Sequence, residues 1–179
     1  MQRYFHPRRV HIVHRLDQDT SGVMLFALSE EGKIGLKELF AAHDLVRQYV
    51  GIVEGTFTQA KGTWKSYLFE DKNYRVHVVR SAEKGELAIT HYLLEGNTRQ
   101  FSRLRLTLET GRKNQIRVHC QNAGHSIVGD YKYGAKTDAM KRLALHAHLL
   151  EFIHPLTGEE MTFCSPIPEE FDRLVAINL

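Results

Sequence analysis

Between the apolar runs Val10-His11-Ile12-Val13 and Val23-Met24-Leu25-Phe26 stands His14-Arg15-Leu16-Asp17-Gln18-Asp19-Thr20-Ser21-Gly22, which carries a guanidinium and two carboxylates. A carboxylate taken out of water costs several kcal/mol unless it is paired, so folding alone rarely asks for this arrangement. Catalysis often does. Downstream, Gly111-Arg112-Lys113-Asn114-Gln115-Ile116-Arg117-Val118-His119 holds the cations that an ionised Asp17 would require. A carboxylate beside a cation in a shared pocket suits nucleophilic work, because the cation opposes the effect of burial on the carboxyl pKa. Arg suits the task better than Lys, since its planar fork binds a carboxylate bidentately and keeps donors to spare. Tyr49, in Arg47-Gln48-Tyr49-Val50-Gly51-Ile52-Val53-Glu54-Gly55, offers an aromatic ring and a phenol that can accept or deliver a proton. Tyrosine beside Val46, Val50 and Ile52 is also an ordinary strand residue.

The elements that must position these side chains are mostly strands. Apolar, β-branched runs recur at 10–13, 22–28, 46–53, 63–69, 74–79, 87–94, 101–108, 143–153 and 160–164, several of them alternating with period two. Residues 30–43 instead carry Ile34, Leu36, Leu39 and Phe40 at close to helical spacing behind a candidate N-cap, Ser29. A second helix is expected over 113–123 with Gly124 as its C′ residue, although Ile116, Val118 and Cys120 also admit a strand. A third is expected over 169–176, after Pro168. Runs of strands with few helices predict an α+β fold: a largely antiparallel mixed β-sheet with a few flanking helices. Residues 1–179 read as a single domain, with no repeat, low-complexity tract or long linker.

Apolar residues at 42% and charged residues at 25% argue against disorder or a fibrous repeat. No apolar stretch approaches the roughly 18–20 residues that span a bilayer, and the N-terminus lacks a signal-peptide core, so the reading is cytoplasmic with no membrane partner. Cys120 and Cys164 form no CxxC pair, and a disulfide framework is not expected. Cys120 reads as a small buried hydrophobe rather than a nucleophile. A net charge of +3 is too small by itself to announce nucleic acid, but its distribution matters more. Arg3, Arg8, Arg9 and Arg15 cluster without an acid, and Arg99, Arg103 and Arg105 precede the Arg112/Lys113/Arg117 group. Beside the motifs, these clusters form a candidate phosphate-tracking surface.

Taken together, HRLDQDTSG, RQYVGIVEG, GRKNQIRVH, Gly124-His125-Ser126-Ile127-Val128-Gly129-Asp130, Leu145-His146-Ala147-His148 and Ser165-Pro166 resemble, in order and approximate spacing, the motifs of the RluA family of pseudouridine synthases. The resemblance covers nearly the whole chain. It implies the pseudouridine synthase catalytic-domain fold and an enzyme that isomerises specific uridines in structured ribosomal or transfer RNA, with no cofactor, metal or obligatory protein partner. It assigns Asp17 as the nucleophile, Arg117 as its partner within salt-bridge reach (about 4 Å or less) and Tyr49 over the target base. Arg15 is implied to fill the space of the extruded base; Arg112, Lys113 and Gln115 join it as expected RNA contacts. His14, Asp19, Thr20, Ser21 and Gly22 are read as shaping the turn, with Gly22 allowing close backbone approach. Asn114 departs from the His often found there, and only thirteen residues precede His14 where relatives carry a further upstream strand. A domain shortened at its N-terminus is therefore expected, with a free sheet edge around HRLD and YVGIVEG and possible weak self-association of a monomer.

Other classes remain in view. Asp17-Gln18-Asp19-Thr20 satisfies the DxDxT pattern of haloacid-dehalogenase-like phosphatases, but that fold needs alternating strands and helices. HRLD is not the kinase HRDL, and no Gly-rich loop accompanies it. His119, Cys120, His146 and His148 match no standard zinc spacing. The non-enzymatic rival is an RNA-binding module that keeps the fold without the activity.

Overall fold

The computed structural model describes residues 2–175. Along them run α1 (Gln2–Phe5), β1 (His11–Ile12), β2 (Ser21–Gly22), β3 (Phe26–Ala27), α2 (Glu30–Ala42), β4 (Val46–Glu54), β5 (Lys61–Glu70), β6 (Val76–Val79), β7 (Glu86–Asn97), β8 (Phe101–Leu108), α3 (Gln115–Asn122), β9 (Leu145–Ile153), β10 (Glu160–Cys164) and α4 (Glu169–Leu174). Seven strands form one antiparallel path in the order β10-β9-β4-β8-β7-β5-β6, and β2 adds to β9 in parallel. The α+β expectation, a largely antiparallel mixed sheet with a few helices, therefore describes the fold.

Local chemistry explains the helices. Ser29 Oγ accepts the Gly32 N–H at 3.0 Å, and Glu30 and Glu31 face the positive end of α2. The helix then lays Leu36 against Val13, Ala27, Leu150 and Phe152. The α3 helix ends as its sequence indicates, with Gly124 at φ +83° directly after Ala123. The helix expected over 169–176 is α4, which begins directly after Pro168 and ends at Leu174; residue 176 of the expected span falls outside the described residues.

Strand β4 is the spine of the molecule, with Tyr49 facing Leu106 of β8 on one side and Ala147 of β9 on the other. Val50, Ile52 and Val53 are consequently buried among Leu104, Leu106 and Leu145. This pairing corrects the expectation of a free edge at YVGIVEG: both edges of that strand are occupied, and the large sheet ends at β10 and β6. The run 22–28 is likewise not one strand. Val23 donates its N–H to Ala147 O at 2.9 Å, whereas Leu25 donates to His14 Nε2 at 2.8 Å. Each side of the segment thus satisfies a different part of the molecule, and only Phe26–Ala27 pairs with β1. Cys120 lies in the core, where burial pushes its thiol pKa up and leaves it inert.

Candidate active site

Asp17 sits in a loop fixed at both ends. At its start, the His14 ring stacks on Phe40 with centroids 4.5 Å apart while accepting the Leu25 N–H. At its finish, β2 docks in parallel on β9, pairing Ser21 with His146 and Gly22 with Ala147. Gly22 adopts φ +113°, and a Cβ there would fall well inside contact distance of the Ala147 carbonyl, so the close approach requires glycine. Ser21 Oγ lies 2.8 Å from His146 Nδ1 and accepts from Arg142 at 2.5 Å. The LHAH segment therefore serves as the anchor for the Asp17 loop. Between these anchors, the Asp17 carbonyl accepts the Thr20 N–H at 3.0 Å, a turn that raises the carboxylate toward β4 and α3.

The carboxylate stands where two concavities meet. One, of about 180 Å³, is bounded by Asp17, Tyr49, Arg47, Leu108, Arg112 and Ile116. The other, of about 360 Å³, lies toward Asn114, Arg117, Asp130 and Lys132, and Arg15 and Lys113 border both. Burial raises the Asp17 pKa above the usual carboxylate range. Arg117, the Asn114 backbone N–H and Arg15 pull in the opposite direction, and Asp130 adds to the rise. The cations moderate the effect of burial without overcoming it.

The ion pair expected between Asp17 and Arg117 is not formed. Arg117 instead grips Asp130, with Nε to Oδ2 and Nη2 to Oδ1 both at 2.7 Å. Its Nη1 donates to Asn114 Oδ1 at 3.2 Å, and the guanidinium lies 4.9 Å over the Tyr133 ring. The physical reason is competition for one fork: Asp130 is 2% exposed and presents both oxygens to it. Arg117 still acts on Asp17 through space, favouring its charged form. Asn114 completes this scaffold, since its Nδ2 donates to Tyr133 Oη at 3.0 Å and its backbone N–H favours the Asp17 charge.

Tyr49 borders the same cleft as Asp17. Burial, with a smaller contribution from Asp17, pushes its phenol pKa up to about 12. At neutral pH it is therefore a protonated donor and an aromatic wall. Arg15 is exposed at the rim. Arg112 donates to Leu87 O and Glu86, and Lys113 pairs with Glu70 while lying over the Tyr74 ring. Gln115 differs from its expected role. It is 2% exposed, its Oε1 accepts from Thr110 and the Arg112 N–H, and its Nε2 donates to Ile89 O and Thr90. Its polar atoms are committed to protein partners within the floor of the cleft, which the residue lines beside Asp17.

A family model for RNA pseudouridylate synthase matches residues 1–122. The chain belongs to that family. Within it, the RluA family is indicated by ribosomal large subunit pseudouridine synthase D of Xanthomonas campestris, 37% identical over 94% of this chain and 54% of the relative. The protein of the same name from Escherichia coli is 36% identical over 94% of this chain and 56% of its own length. The chain thus spans about half the length of these curated relatives. Among solved structures, human RNA pseudouridylate synthase domain containing 1 is similar with a TM-score of 0.82 and 25% identity, covering 97% of this chain and 75% of that one.

For a pseudouridine synthase family chain, the residues that sequence reasoning missed are those that brace Arg117. Asp130 was visible as the last residue of GHSIVGD, yet no spacing rule says which acid an arginine 13 residues away will choose. The glycine before it offers a physical signal. Gly129 stands at φ +79° and has no room for a Cβ against the Arg142 carbonyl, and Glu54 Oε1 accepts both the Lys136 and Thr137 N–H groups of the same loop. The rival readings find no site among the described residues. Nearly every strand pairing is antiparallel, unlike the doubly wound sheet that DxDxT requires. His119 is bound to Ser66 and Thr90, and no cluster of three metal-ligating side chains is set for an ion.

Proposed function

We propose that this chain is the catalytic domain of an RNA pseudouridine synthase that isomerises uridine in structured RNA, with ribosomal RNA the first candidate because the similar curated proteins bear that name. In the reaction the N1–C1′ glycosidic bond breaks, the uracil turns and a C5–C1′ bond forms; N1 gains a proton and C5 releases one. The proposed role of Asp17 is to act at the sugar, as nucleophile on C1′ or as the carboxylate supporting a glycal route; both require its ionised form. Tyr49, protonated, provides a wall and a hydrogen-bond donor for the turning base. Arg117 acts through Asp130 and Asn114 to hold the carboxylate's surroundings and to bias its charge. Arg15, at the open rim, is suited to entering the space that an extruded nucleotide leaves.

The observation that carries this reading is the meeting of Asp17 and Tyr49 in one narrow cleft, where burial is opposed by Arg117 at Asp17 and by Arg47 at Tyr49. The test is release of tritium from large-subunit ribosomal RNA transcribed with uridine tritiated at C5. Stoichiometric release by the wild type, lost in Asp17→Asn while RNA is still bound, is the expected result. Binding without release by the wild type would defeat the reading and leave an RNA-binding module.

A further inference from the structure

Arg47 is the charged residue that the catalytic reading leaves unused. It lies on β4 two positions before Tyr49, on the same face of the strand, and borders the cleft beside Asp17. It is 8% exposed. The other two buried arginines hold acids: Arg103 binds Glu95 and Asp172, and Arg117 binds Asp130. Among the described residues Arg47 has no carboxylate at ion-pair distance, and its buried Nε has no hydrogen-bond partner. Its polar contact is Nη2 to His43 Nδ1, at a long 3.5 Å.

A guanidinium keeps its proton in proteins, so this is a full charge held out of water without compensation. The fold makes room for it nonetheless. Gly111 packs against it so closely that a Cβ at that position would collide with Nη1. Two neighbouring cations do not compete for an incoming anion on equal terms, because Arg112 is engaged by Glu86 and Lys113 by Glu70. Burial, Arg47 and Arg112 all disfavour protonation of His43, so the imidazole that Arg47 touches supplies it no opposite charge.

We propose that Arg47 is a phosphate-binding residue of the cleft, taking a backbone phosphodiester of the RNA strand next to the nucleotide held at Asp17. The inference rests on the uridine-isomerising reading of that site. Charge decides the ligand: a uracil edge offers lone pairs but no negative charge, whereas a phosphodiester supplies both to a planar fork. Phosphate contacts fix register on the strand, and here the contact would lie one β-strand position-pair away from the base wall Tyr49.

The test compares wild type, Arg47→Gln, Arg47→Lys and Gly111→Ala on the tritiated ribosomal transcript, measuring RNA affinity across a salt series, kcat and KM. Arg47→Gln is expected to weaken affinity about tenfold and to lower the slope of log affinity against log salt by roughly one. The loss should fall mainly on KM, with kcat reduced by less. Arg47→Lys should recover part of the salt slope, and Gly111→Ala, which keeps Arg47 but displaces its guanidinium, should reproduce the defect of Arg47→Gln. Thermal unfolding supplies the control for folding: removing an uncompensated buried charge should leave Arg47→Gln at least as stable as wild type. An unchanged salt slope, a loss confined to kcat, or a marked loss of stability in Arg47→Gln would each overturn the proposal. Absence of tritium release by the wild type would instead sink the uridine reading, so the two failures are distinguishable.

Discussion

A carboxylate whose pKa is raised by burial sits uneasily with a role that needs it ionised, and that tension makes Asp17 testable. In the folded state Asp17 binds its proton more tightly than in the unfolded chain. The stability linked to this shift is present below the unfolded pKa and is lost as pH rises through the folded one. Asp17→Asn should therefore abolish turnover and, at neutral pH, raise the melting temperature; for a chain of this length each kcal/mol moves it by about 2–4 °C. Calorimetry beside the tritium assay checks both, and a destabilised, active variant would contradict both. Asp130→Asn should behave oppositely. It breaks a buried bidentate pair and strands Arg117, at a cost of about 3–5 kcal/mol in urea unfolding. At this scale Asp17 was legible because a carboxylate between two apolar runs is unusual, and Tyr49 only through its place in RQYVGIVEG, since its residue type is ordinary for a strand. The partner of Arg117 was not, since Asp17 and Asp130 are equivalent as letters and only burial and loop geometry choose between them.

Elements set the precision with which these residues meet. The Asp17 loop is held by two residues of parallel pairing, Ser21–Gly22 on His146–Ala147, joined to a sheet that is otherwise antiparallel. So short a strand carries little periodic signal, whereas the alternating runs of β8 and β9 and the long apolar run of β4 announced themselves. Gly22 was readable as a close approach, but the surface it approaches was not, because β9 lies more than a hundred residues downstream. Gly22→Ala tests the anchor. It forces a Cβ against the Ala147 carbonyl and holds a non-glycine residue at φ +113°, which together should cost about 2–4 kcal/mol. Activity should fall further than stability explains, since the displaced loop carries Asp17. If activity at saturating RNA followed only the folded fraction measured by circular dichroism, β2 would be a structural strand with no part in positioning the carboxylate.

At the scale of the whole molecule, buried neutral histidines tie stability to pH. Burial lowers the His14 pKa to about 4, with Arg47 contributing, and lowers that of His119 to about 4 as well. His14 holds the Asp17 loop through the Leu25 N–H, while His119 joins α3 to β5 and β7 through Ser66 and Thr90. The unfolded chain takes up protons at these positions near pH 6.5, and the folded chain does so only near 4. Stability is therefore complete above about 6.5 and is lost as pH falls toward 4, with a slope of about 1.4 kcal/mol per pH unit for each proton involved. Asp17 works in the opposite sense, becoming less costly as it protonates, so the cleanest measurement uses the Asp17→Asn background. Urea midpoints at pH 7, 6 and 5 should fall progressively there, and adding His119→Gln, whose amide retains a hydrogen-bonding group, should flatten the decline. The same flattening is expected from His14→Gln, with a looser Asp17 loop and, where Asp17 is kept, lower turnover at saturating RNA. Constant midpoints across this range would mean that neither imidazole is held neutral by the fold, and the account of how α2, α3 and the loop are joined would have to be abandoned.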